Sequence, residues 1–88
     1  MKVSDLTTSQ LPHALAKAMR VKSAPVIDWE LCGKLIEKEK ISISPSFSRW
    51  SAFYTGLGVN DRENEQVGDT ATEAVVKCFI EKKLGADF

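Results

Sequence analysis

Ile41-Ser42-Ile43-Ser44-Pro45-Ser46-Phe47-Ser48-Arg49-Trp50-Ser51-Ala52-Phe53-Tyr54-Thr55 decides the fold class. Ile41 to Ser44 alternates apolar and polar residues, the period of a strand with one buried face. Pro45 cannot donate to a sheet ladder, so it marks the end of that strand or an edge. Trp50 to Thr55 is rich in β-formers and is expected to pair antiparallel with it, with the turn lying between Pro45 and Arg49. Successive strand side chains point to opposite faces, so Trp50, Ala52 and Tyr54 share one face and Phe53 takes the other. One of these aromatic faces is expected to meet helices and the other to be half-exposed.

Helical periodicity lies on both sides of this hairpin. Leu11, Ala14, Leu15, Ala18 and Met19 fall at i, i+3, i+4, i+7 and i+8 and predict a helix over about 9–20, capped by Thr8 or Ser9, with Pro12 in its first turn. Pro25 ends that segment. Asp28 predicts the N-cap of a second helix reaching about Lys38, with Trp29, Cys32, Leu35 and Ile36 as its apolar face and Glu30 paired with Lys34. Gly33 falls in the middle of this helix, at ~1 kcal/mol against alanine, and suggests a ring or backbone coming close. Thr70-Ala71-Thr72-Glu73 reads as a capping box, with Thr70 as N-cap. The apolar stripe that follows, from Ala71 to Leu84, is so broad that this last helix should be the spine of the core. Gly85 supplies its C′ residue.

Between hairpin and last helix lies a polar stretch. Residues 56–69 hold Asp61, Glu63, Glu65 and Asp69 against Arg62 alone, and read as a flexible acidic loop. A short strand around Leu57 to Val59 is the alternative. The element order is then α-(β)-α-β-β-α, the bracketed strand being Val26-Ile27. The expectation is an α+β fold, a small antiparallel sheet packed with three helices in a single domain over residues 1–88.

Composition narrows the function. The chain is 43% hydrophobic and 27% charged, enough for a core without staples. Twelve basic residues balance twelve acidic ones, so the cationic excess that drives phosphate binding is missing. Two cysteines outside any CxxC, no leader-like N-terminus and no long apolar run point to the cytoplasm and away from membranes. No metal spacing of the HxxxH, HExxH or CxxC kind occurs, and Asp61, Glu63 and Glu65 lack the register of a calcium loop. Gly56-Leu57-Gly58 is a lone GxG without a following helix, which excludes the phosphate-loop readings. His13, the one histidine, has no neighbouring acid in the sequence. No catalytic residue, metal or cofactor is expected, and the chain does not read as an enzyme.

Several blocks, in order, resemble the phage NinX-like family. The opening Met1-Lys2-Val3, Leu6-Thr7, Leu11, Ala14 and Ala16-Lys17 is similar to that family's start. Trp29, Gly33, Ile36-Glu37-Lys38-Glu39-Lys40-Ile41-Ser42 and Pro45 resemble its G-P-I-I-E-R-E-x-I block. Trp50-x-Ala52, Gly68-x-Thr70, Ala74, Cys78 and Lys83-Leu84-Gly85 resemble its closing pattern. The chain departs from it at Lys34 and Ala71, where the family carries proline, and lacks a Pro-Ser-Thr run before Trp29. The resemblance implies an accessory protein of phages and prophages, related to small phage α-β-α sandwich domains, of a family without an assigned activity.

Two readings follow. The first is a protein-interaction module that binds a host or phage protein, with pairing to a second copy as a further route, through Trp29, Gly33, Glu37, Arg49, Trp50 and Phe53. The alternative is an accessory single-stranded nucleic-acid binder in recombination or replication, using Lys34, Lys38, Lys40, Arg49 and Phe53. The alternative requires Arg49, Phe53 and those lysines to share one surface.

Overall fold

A computed structural model describes residues 2–55 and 62–88. Val3–Asp5 forms a single 3₁₀ turn, followed by α1 (Leu11–Met19), α2 (Trp29–Glu39), β1 (Ile41–Ser46), β2 (Arg49–Thr55), β3 (Arg62–Gly68) and α3 (Ala71–Leu84). The strands form one antiparallel sheet in the order β1-β2-β3. The α+β expectation is met with one more strand than the sequence suggested.

The hairpin folds as read. Ile41 pairs with Tyr54, Ile43 with Ala52 and Pro45 with Trp50, so these six side chains lie on one face. Ala52 and Tyr54 are buried there, while Phe53, on the other face, is half-buried. The connection is the two-residue loop Phe47-Ser48. Phe47 is wholly exposed and takes φ 56°, a left-handed conformation unusual for a bulky residue.

Residues 62–68, expected to belong to a flexible loop, are β3. Their sequence, Arg-Glu-Asn-Glu-Gln-Val-Gly, carries little strand signal. What recruits them is pairing to the free side of β2 and cover from α3: Gln66 and Asn64 both donate to the Glu81 carboxylate. A bulge at Asn64, φ 57°, absorbs a register shift between Ala52 and Tyr54. The alternative strand at 57–59 falls outside the described residues. Val26-Ile27 is not a strand; Val26 stands in solvent and only Ile27 packs on the core.

α3 is the spine. Thr70 Oγ1 accepts the Glu73 N–H at 3.2 Å, as the capping box predicts, but the Glu73 carboxylate turns to Lys77 instead of completing the box. Residues 74–80 are all buried. The sheet lies on one side of α3, α1 on another, and α2 flanks it beside β1. A helix enclosed on so much of its circumference is apolar nearly all round, and burying each of Val75, Val76, Phe79 and Ile80 is worth ~1.5–3 kcal/mol. Lys77 is the exception, buried and held by Glu73 Oε1 at 3.1 Å and the Ser4 carbonyl at 3.4 Å. Val3 and Leu6 complete the core from the N-terminal turn, tied down by Val3 N–H to the Ala86 carbonyl at 2.9 Å.

Candidate interaction surface

α2 begins where its sequence says. Asp28 Oδ1 accepts the Leu31 N–H at 2.9 Å, and Lys34 meets Glu30 at 3.6 Å. Its buried stripe is narrow: Cys32 and Leu35 are inside, with Ile36 and Leu31 half-buried. Trp29 is not part of that stripe. It sits in the first turn on the solvent side, 60% exposed.

Gly33 lies one turn along from Trp29, and Glu37 one turn further. Spacing of i, i+4, i+8 sets the three on one exposed helix face. The expected packing of a ring over Gly33 is not made: a β-carbon built there would meet nothing within 4 Å. The fold uses neither the glycine's smallness nor the Trp29 ring. Both carry a cost, ~1 kcal/mol for the glycine and a large apolar surface left in water for the tryptophan.

The other candidates lie elsewhere. Arg49 and Phe53 are on the sheet face away from the helices. There Arg49 Nε bonds Asp69 Oδ1 at 3.0 Å, and the Arg62 guanidinium stacks 4.3 Å from the Phe53 ring centroid. Arg62 Nη1 also reaches Glu65 Oε2 at 2.9 Å, and Ser51 donates to the same oxygen at 2.5 Å. These two hydrogen bonds, Ser51 first, hold the Glu65 carboxyl below its ordinary range against a smaller opposing effect of burial. Trp50 is half-buried against the core. Lys34 and Lys38 line a cleft between the helices, and Lys40 is the left-handed C-cap of α2, φ 58°. The five residues of the nucleic-acid set are therefore divided between the open sheet face and the helical side. Their side chains do not form one surface.

His13 lies apart from both sets of candidates. It is exposed on α1 beside a shallow hollow whose lining includes Lys17 and Phe88 but no Asp or Glu, and Glu37 is not part of it. Burial pushes the Cys32 thiol up to about 11, with Asp28 adding to the effect. It pushes Cys78 up to about 12, reinforced by Glu81 and Glu65. Both stay protonated at neutral pH, when a nucleophile needs the thiolate. Among the described residues no group of three or more His, Cys, Asp or Glu is placed to hold a metal ion. No described helix is long and apolar enough to cross a membrane.

Fold and surface together define a small α+β domain whose unexplained residues lie on the outside of one helix. The family model described as Bacteriophage P22, NinX matches residues 2–83, and the chain belongs to that family. No curated protein matches it.

Proposed function

We propose that this NinX-family chain is a non-catalytic binding module, a phage accessory protein that acts in the host cytoplasm by docking a host or phage protein on the outer face of α2. The observation that carries the reading is the pairing of an exposed Trp29 with a helical Gly33 that has empty space above it. A partner backbone can approach closely over a glycine, and tryptophan is the side chain most often found to dominate interface energies. Glu37, on the same face, offers a charge to orient the partner. Phe47, fully exposed at the hairpin tip, supplies a second apolar anchor on a different part of the surface.

The test is affinity capture from a lysogenic host with the tagged full chain, beside Trp29→Ala and Gly33→Leu variants whose melting curves confirm folding. The expected result is a protein retained by the parent chain and lost with both variants. Retention by all three, or retention that nuclease treatment abolishes, would count against it.

A further inference from the structure

The C-terminal halves of α1 and α3 and one flank of α2 border a cleft of about 350 Å³. α2 contributes Leu31, Lys34, Leu35 and Lys38, spaced i, i+3, i+4, i+7, to its wall. Met19 and Phe79 complete an apolar floor, and Lys83 stands on the rim. An adjoining hollow shares Ala18, Met19 and Lys83 with the cleft and adds Lys17 and Arg20. Five of the twelve basic residues thus line the cleft and the hollow beside it, on a chain whose charges cancel overall. The lining holds one acid, Glu39, and its carboxylate is already engaged by the Tyr54 hydroxyl at 3.1 Å and by Lys83 at 3.4 Å. Lysines in a last helical turn answer the macrodipole, which accounts for Lys17, Lys38 and Lys83. Lys34, in mid-helix, meets only Glu30 at 3.6 Å in a pair whose two side chains are largely in water, which a partner carboxylate can replace at little cost, and no dipole argument requires an apolar floor beneath the cations.

We propose that this groove docks an acidic amphipathic helix of a partner protein, its apolar side seated on Leu31, Leu35 and Met19 and its carboxylates facing Lys34, Lys38 and Lys83. Charge complementarity selects an acidic occupant, and the apolar floor selects one with a greasy side, the helix-in-groove mode of recognition. A polynucleotide fits less well, because base stacking needs an open ring and the only aromatic here, Phe79, is 5% exposed. The proposal rests on the reading of the chain as a binding module. It uses the opposite flank of α2 from Trp29 and Gly33.

The experiment titrates the isotope-labelled full chain, followed by NMR, with a synthetic helical peptide carrying Leu at i, i+3, i+4 and i+7 and Glu at the flanking positions. Shifts centred on Leu31, Lys34, Leu35 and Lys38 are expected, with affinity about tenfold lower in Lys34→Glu/Lys38→Glu and falling with salt. A peptide with Lys in place of Glu should not bind. Equal binding of the lysine peptide, unchanged affinity in the double variant, or a single-stranded oligonucleotide displacing the peptide would overturn it. Capture through Trp29 that survives Lys34→Glu/Lys38→Glu, with no peptide binding by the parent chain, would overturn the groove alone and leave the module reading standing.

Discussion

Gly68, the last residue of β3, lies against the start of α3, where a β-carbon at 68 would stand 2.8 Å from the backbone nitrogen of Ala74. It would also meet the Glu73 side chain at 3.0 Å. The helix can lie this close to the sheet because position 68 has no side chain. Gly68→Ala must push α3 away from β3, and overpacking of this kind costs ~1–3 kcal/mol. Thermal denaturation should show a midpoint lower by roughly 4–8 °C for each kcal/mol. An unchanged midpoint would mean that α3 shifts freely on the sheet.

Gly33→Ala should act in the opposite direction. Its β-carbon enters open space on a helix, so the fold gains about 0.5–1 kcal/mol in urea unfolding. A loss of stability would show that position 33 has a packing role inside the chain.

Lys77 and Glu73 form an ion pair whose side chains are only 5% and 17% exposed. Removing one partner leaves a charge in the interior. Lys77→Met is therefore expected to cost ~2–4 kcal/mol, and adding Glu73→Gln to recover most of it. Denaturant titration of the two variants separates these outcomes; equal losses would assign the cost to lost packing of the lysine stem.

The lowered Glu65 carboxyl makes stability depend on acid. A group whose folded pKa lies below its unfolded value stabilises the fold above the ordinary carboxyl range, and that contribution is lost as pH falls through the folded value. Ser51→Ala removes the largest cause. The variant should be less stable than the parent near pH 7, and the difference should shrink as pH falls below the ordinary carboxyl range. A difference independent of pH would place the effect in packing at the buried Ser51, not in the charge.

Much of the fold is legible in local pattern. Asp28 and Thr70 start their helices as expected, and the alternation through 41–55 places Tyr54 and Ala52 inward and Phe53 outward. β3 is not legible locally because no apolar alternation marks it; its inward positions are the polar Gln66 and Asn64, satisfied by Glu81 from a helix fifteen and seventeen residues on. Trp29 shares the apolar period of α2 yet stands largely in solvent, because periodicity says which residues share a face but not how much of that face a neighbour covers. The candidate surface was half legible. Spacing sets Trp29, Gly33 and Glu37 together, and only packing reveals that the described residues leave Gly33 open and most of the Trp29 ring in water. The lysine groove was not legible, since Lys17, Lys34 and Lys83 are brought together by three helices.

Alone, the sequence determines the helices, the hairpin and which residues share a face, because caps, turn residues and the periods of 2 and 3.6 act over a few neighbouring residues. Tertiary structure decides the third strand, the close seat of α3 on Gly68 and which side chains remain in water. Those outcomes depend on contacts between residues far apart in the chain, whose free energies no local stretch contains.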